Sequence, residues 1–273
     1  MIVYNLGEEG PYDSFVDTED GVKAYVPTEQ YDEAFLREQV EGLKELSAGM
    51  GDVEGCAVAL TVSYEVEEMP DKDWNAEWEK QHQAVLVEDF CWVRAPFHPH
   101  RDDVQYEIEI EPKMSFGTAH HATTYMMLTL LRDEALEGKS LLDMGTGTAV
   151  LAILAAMRGA SPVEGVDVDE WAYRNALENV DRNGVKVECR LGDATTLGEE
   201  PQYDVVLANI NRNILLHDME AYVRVLRQGG ALLMSGFYEH DIPKIKACAE
   251  GLGMKFDRNI VRNDWTAVRF VKE

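Results

Sequence analysis

The chain has 273 residues, 45% of them hydrophobic, enough for one large domain or two smaller ones with buried cores. Acidic residues number 51 against 25 basic, a net charge of −26, and residues 1–112 alone hold 28 acidic and 7 basic residues. This argues against bare nucleic acid as a partner of the front part. No apolar run is long enough to span a membrane, and the N-terminus lacks the pattern of a signal peptide. The acidic front has two readings: a solubility or salt-adaptation device, or a surface that attracts a basic protein. The cysteines, Cys56, Cys91, Cys189 and Cys248, lie far apart without metal-ligand spacing, as expected of reduced thiols in a cytoplasmic protein.

Taken in chain order, SFVDTEDG and VKAYV predict two strands joined by an acidic turn that ends in Gly21. YDEAFLREQVEGL predicts a helix with Phe35, Leu36, Val40 and Leu43 on its apolar face. CAVALTVSYEV predicts another strand. Trp74 and Trp78 stand four apart, the spacing of one helical face; they are expected to pack into a core or domain seam, with a ligand platform as the alternative.

The composition shifts near residue 112, and strands then alternate with helices. Strands are predicted in KSLLDMG, VEGVDVD, VKVECRLGD, YDVVLANI and ALLMSGFY. Helices are predicted in AVLAILAAMRG, EWAYRNALENVDRNG, NILLHDMEAYVRVLRQGG (ended by its glycines) and DIPKIKACAEGLG. This alternation implies a mostly parallel sheet with helices on both faces. MKFDRNIV and WTAVRFV have no helix between them and predict a closing hairpin with one antiparallel member at the sheet edge.

The strongest local signal is LLDMGTGTAVLAI, which follows a strand and opens a helix. In the turn Gly145, Thr146 and Gly147, the two glycines let a ligand approach the backbone. No third glycine completes a dinucleotide fingerprint, and no Lys–Ser/Thr pair marks a triphosphate loop. Asp167, at the end of the next strand, is placed to accept hydrogen bonds from ribose hydroxyls, and Asp169 to cap the following helix. Asp193 ends the third strand, where it can reach an adenine edge. Asn209 ends the fourth and offers a neutral carbonyl to an amine; its alternative role is a helix N-cap.

These residues, DxGxG at 143–147 with Asp167 and Asn209, resemble a class I S-adenosylmethionine-dependent methyltransferase. FGTAHHATT at 116–124 resembles the FGTGxHxTT signature of the family of ribosomal protein L11 lysine methyltransferases. DKDWNAEWEK, LLDMGTGTAVLAILAA and DVVLANINRNIL are also similar to that family. The resemblance implies S-adenosylmethionine held by Thr124, Gly145, Asp167 and Asn209, with Phe116 beside the methyl-transfer point. It implies a basic ribosomal protein as substrate, whose amines Asn209 and Phe116 serve at the catalytic centre. It further implies an acidic α+β recognition domain over 1–68, ferredoxin-like, in which either the chain starts late or the first edge strand is lacking, a connecting segment over 69–112, and a Rossmann-like methyltransferase domain over 113–273. A methyltransferase of another protein lysine or a small amine is the alternative, and a non-enzymatic cofactor-binding module a further one.

One departure is Ala119, where the family signature has glycine; if that position needs positive φ, alanine strains the loop. Thr123 or Thr124 is expected to cap the helix behind it. One of His120 and His121 is expected to pack inward and the other to face solvent. No metal site is expected from these histidines or from His98 and His100. A monomer with no membrane association is expected.

Overall fold

The computed structural model describes residues 6, 10–12, 14–18, 21–49, 63–67, 83–111, 117 and 119–273. The chain divides into two compact units, Met1–Asp73 and Trp74–Glu273. In the first, β1 (Ser14–Thr18) and β2 (Gly21–Tyr25) form an antiparallel hairpin in the register Ser14↔Tyr25 to Thr18↔Gly21. A single 3-10 turn, Thr28–Gln30, leads to helix α1 (Glu33–Gly49). Asp32 starts that helix: its carboxylate accepts from the amides of Ala34 at 2.8 Å and Phe35 at 3.2 Å. Leu36 and Val40, one turn apart, are buried with Leu6 and Tyr12, and Phe35 packs beside them. Of the strand expected over 56–66, residues 63–66 are described and do not form a strand; the rest, like Cys56, Trp74 and Trp78, lies outside the described residues.

The second unit opens with a small sheet to which the sequence reading assigned no strands. In it β3 (Val85–Val87) pairs antiparallel with β4 (Cys91–Arg94), and β4 pairs parallel with β5 (Tyr106–Glu109). These strands are short, and their apolar residues alternate too briefly to stand out from an acidic background. The nearly fully buried Arg94 holds the sheet together through Glu107 at 2.7 Å and Glu109 at 2.6 Å.

The main body follows as α2 (Ala122–Arg132), β6 (Leu141–Met144), α3 (Val150–Met157), β7 (Val163–Asp167), α4 (Glu170–Arg182), β8 (Glu188–Leu191) and β9 (Tyr203–Asn209). It closes with α5 (Arg212–Val225), β10 (Leu226–Tyr238), α6 (Ile242–Gly251), β11 (Met254–Arg262) and β12 (Trp265–Lys272). The seven strands lie in the order β11-β12-β10-β9-β6-β7-β8. From β10 to β8 all neighbours pair parallel.

Alternation along each strand divides the core in two. Leu141, Val205, Leu207 and Leu233 join Met126, Leu130 and Ile153 in one cluster. Leu142, Val206, Ala208 and Leu232 join Leu215, Met219 and Ile245 in the other. A sheet buried on both faces must be apolar at every position, which is why these strands read as unbroken apolar runs. The bends, polar side chains and glycines are thereby left to the strand ends.

Two expectations need correction. The helix over 212–225 is not ended by its glycines. It stops at Val225, because Leu226 already pairs with Tyr203 as the start of β10. The last carbonyls are satisfied instead by Lys272, whose Nζ donates to Val223 O at 2.8 Å and Leu226 O at 2.7 Å. Nor does the antiparallel strand sit at the edge. β12 is inserted between β10 and β11, antiparallel to both, and β11 takes the edge. Burial explains the order: Ala267, Val268 and Phe270 of β12 are fully buried, whereas β11 after its buried first residue, Met254, has only exposed and half-buried positions. The hairpin turns on Asn263 and Asp264, both at positive φ, as a two-residue primed turn requires.

This order has a measurable consequence. Phe270→Ala should cost about 3–5 kcal/mol in urea denaturation, while Val261→Ala on the edge strand should cost less than about 1 kcal/mol. Equal costs would contradict the placement of β12 inside the sheet.

Candidate active site

The strand order reverses beside β6: β7 and β8 lie on one side of it, β9 and β10 on the other. In such sheets a crevice opens at the carboxyl ends where the order reverses. The tips of β6, β7 and β9 are level there, with Met144 opposite both Val166 and Ala208. Each tip carries a residue singled out by the sequence.

Beyond β6 the chain turns through Gly145 and Gly147 at φ of 69° and 56°. The amides of Gly145 and Thr146 donate to Val166 O at 2.8 and 3.1 Å, tying the turn to β7. Asp167, at the tip of β7, accepts from Gly147 N at 2.9 Å through Oδ2 and from Asp169 N at 3.0 Å through Oδ1. Each carboxylate oxygen so keeps acceptor capacity for a further donor. Asp169 caps α4 as expected, accepting from Trp171 N at 2.8 Å. Asp193, exposed beyond β8, accepts from the amide and hydroxyl of Thr195 at 2.9 and 2.5 Å. These bonds, the hydroxyl first, hold its carboxyl below the usual range.

Asn209 ends β9. Its Nδ2 donates to Thr124 Oγ1 at 3.3 Å, joining two residues 85 apart in the chain. Its Oδ1 is buried and, among the described residues, accepts no hydrogen bond. The alternative role as a helix cap belongs instead to Asn211, whose Oδ1 accepts from Asn213 N and Ile214 N, both at 3.1 Å. Ile210, between them, is wedged between two glycines. Its Cγ2 occupies the place of a side chain at Gly145, and its carbonyl lies where a Cβ of Gly236 would stand. Gly145 is therefore bare for packing on Ile210 as well as for a ligand.

The loop before α2 is also tied to the glycine turn. Thr148 Oγ1 donates to Gly117 O at 2.7 Å, and Asn179 Nδ2 donates to Thr148 O at 3.1 Å. Ala119 is buried at φ 62° and Ala149 at φ 65°. Positive φ at Ala119 is the strained case raised by the sequence; for an L-residue it costs roughly 1–2 kcal/mol. The Thr pair does not cap α2. Thr123 and Thr124 are buried inside it, and the cap is His121, whose Nδ1 lies 3.3 Å from Thr123 N and 2.7 Å from its hydroxyl. His121 is half-buried, burial lowers its pKa, and its ring meets Trp265 edge-on at 4.8 Å; His120 is exposed. Phe116 lies outside the described residues.

Asp143 sits below the turn, buried, accepting from Thr146 Oγ1 at 2.8 Å. Burial first, then the charge of Asp167, push its carboxyl up to about 7. Thr148 and the His121 cap were not anticipated. The second Thr of GTGTA and a His two residues before TT were the signals available.

A doubly wound sheet with one inserted antiparallel strand, a bare glycine turn and an acid on the neighbouring tip defines the class I S-adenosylmethionine-dependent methyltransferases. The fold matches a solved structure titled ribosomal protein L11 methylase from Lactobacillus delbrueckii subsp. bulgaricus, with a TM-score of 0.63 and 22% identity over 70% of this chain and 99% of that one. The family model described as Ribosomal protein L11 methyltransferase (PrmA) matches residues 6–273. Proteins named ribosomal protein L11 methyltransferase are 45% identical in Bacteroides fragilis, over 97% of this chain and 91% of that protein. In Porphyromonas gingivalis the identity is 42%, over 100% and 90%. The chain belongs to the ribosomal protein L11 methyltransferase family.

Gly236→Ala tests the wedge around Ile210. The added methyl meets the Ile210 carbonyl at a backbone φ of 101°, and should cost about 2–4 kcal/mol in thermal or urea unfolding. A variant that melts with the parent would show that the two backbones do not approach so closely.

Proposed function

We propose that this enzyme transfers methyl groups from S-adenosylmethionine to amines of ribosomal protein L11, lysine side chains and/or the α-amine. The observation that carries the reading is the buried Asn209 Oδ1, which accepts from none of the described residues although its amide is anchored on Thr124. An unpaired buried acceptor is costly, and a donor arriving at the strand tip relieves that cost.

The residues fit the cofactor. Asp167 keeps acceptor capacity for two ribose hydroxyls, the turn Gly145, Thr146 and Gly147 presents bare backbone, Asp193 stands at the next strand tip, and Thr124 and Asn209 close the other side. The carboxylates of Asp167 and Asp193 give the crevice a negative potential suited to a cationic ligand. When bound, S-adenosylmethionine supplies an electrophilic methyl group on a sulfonium.

The chain's own residues then act on the amine. Asn209 accepts an N–H through Oδ1, which aims the nitrogen lone pair and restricts its approach. Ile210, beside Asn209 and packed on Gly145, gives the mouth an apolar wall, with Phe116 assigned to the same mouth. A lysine, with a reference pKa of about 10.4, loses its proton more readily on entering such a mouth. The acidic N-terminal unit suits a basic protein and speeds its encounter. We assign substrate recognition to residues 1–68 and methyl transfer to residues 113–273. The enzyme acts in the cytoplasm, where ribosomes are made; among the described residues no helix is long and apolar enough to cross a membrane.

Asn209→Ala should bind S-adenosylmethionine within a few-fold of the parent and lose turnover by roughly a hundredfold or more. Incorporation of labelled methyl into purified L11, mapped by mass spectrometry, reads both substrate and site. Unchanged turnover would remove Asn209 from the reaction, and label on another protein but not L11 would overturn the substrate.

A further inference from the structure

Asp143 lies beneath the glycine turn, one residue before the tip of β6, in register with Gly165 of β7 and Leu207 of β9. It follows Leu141 by two positions, so by strand alternation its side chain lies on the face covered by α3 and by α2, the helix that carries Thr124. It is 1% exposed.

The side chain reaches into the turn. Thr146 Oγ1 donates to its Oδ2 at 2.8 Å, and the amide of Thr146 is tied to Val166 O at 3.1 Å. Gly165 leaves room for this contact, since a Cβ there would stand 2.9 Å from Thr146 Oγ1. The other carboxyl oxygen, Oδ1, is buried and has no hydrogen-bond partner among the described residues.

The titratable groups beside this carboxyl are Asp167 on β7 and the thiol of Cys189 on β8. Helix α3 contains no titratable side chain. Tyr125 and Arg132 of α2 are engaged elsewhere, with the backbone and the carboxylate of Glu88. No positive charge of the described residues therefore faces Asp143. A buried carboxyl in that position either holds a proton or awaits a cation. Burial first, with the charge of Asp167 as a further cause, brings it up to about 7, where a modest change of local field moves the proton on or off.

We propose that Asp143 distinguishes the cationic cofactor from its neutral product: it gives up its proton when a sulfonium enters the crevice and takes one back when only a thioether remains. The inference rests on the reading of the crevice as an S-adenosylmethionine site. S-adenosylmethionine and S-adenosylhomocysteine share the adenosine and the amino-acid end, so bonds to Asp167 hold both alike. They differ by one methyl group and one positive charge, and a group that responds to charge separates them. Attraction between charges is stronger at a buried position than in solvent. Asp143 does not touch the reacting atoms; it acts on which ligand stays bound. The sign follows from charge: the ionised carboxylate favours the sulfonium, so affinity for S-adenosylmethionine rises as pH passes upward through the range near 7.

The test is calorimetric binding of both ligands to the full-length enzyme and to Asp143→Asn, at about pH 6 and about pH 8, in buffers of different ionisation heat. Asparagine keeps the size and the bond from Thr146 but has no charge to lose. The ligand's own amine titrates alike with both proteins and cancels in the comparison. The parent should gain about three- to tenfold in affinity for S-adenosylmethionine over this interval beyond any gain of the variant, and release a larger fraction of a proton on binding it. S-adenosylhomocysteine should show no such difference between the two proteins. Thr146→Val removes the hydroxyl that steadies the anion and should move the rise in S-adenosylmethionine affinity to higher pH, a readout that stands if Asp143→Asn does not fold. Equal pH dependence in parent and Asp143→Asn, the same difference for both ligands, or an unmoved rise in Thr146→Val overturns the proposal while leaving the cofactor site intact. Binding of neither ligand by the parent contradicts the cofactor site itself.

Discussion

The hydrogen bond between the Asn209 amide and the Thr124 hydroxyl is the contact on which the site depends. It joins the tip of β9 to the helix that precedes the whole sheet. Because Thr124 is buried and fixed in its helix, the amide cannot rotate freely, and among the described residues its carbonyl oxygen has no partner. A buried acceptor held open in this way is preorganised: its desolvation cost is met at folding, not at substrate binding.

The surrounding loops gain their rigidity from tight backbone packing. Ile210 fills the spaces left by Gly145 and Gly236, so the position of Asn209 is set from both neighbouring strands. Thr148 ties Gly117 to the glycine turn, and Asn179 ties Thr148 to α4. Ala119 and Ala149 hold left-handed backbone in the same buried cluster, where alanine is strained. Strain of this kind persists only when the surroundings over-determine the conformation, and it gathers at functional sites. The Arg212–Asp241 pair extends the frame outward, tying the start of α5 to the turn after β10.

Much of this was legible in the sequence. The alternation of strands and helices after residue 112 reflects a sheet buried on both faces, and Gly145, Asp167 and Asn209 were marked as strand-tip residues because polar groups and glycines interrupt apolar runs there. What was misread concerned competition between long-range partners. The glycines at 229 and 230 resemble a helix end, but pairing of Leu226 with Tyr203 and the distant Lys272 ended the helix sooner. WTAVRFV and MKFDRNIV were both recognised as strands, yet which of them lies inside depends on total burial, a property of the assembled sheet. Thr123 and Thr124 looked like caps, but burial of both hydroxyls inside α2 left that task to His121. The Arg94-braced sheet over 85–109 was not assigned, since its strands are of three or four residues.

The most direct measurement is a crystal structure of the enzyme with S-adenosylhomocysteine. The account predicts the ribose hydroxyls on Asp167, the adenosyl group along the tips of β6 and β7, and the sulfur on the side of Thr124 and Asn209, with Asn209 Oδ1 facing the open space beyond it. Ligand density away from the Gly145–Gly147 turn, or an Asn209 carbonyl turned into the protein and paired there, would contradict it.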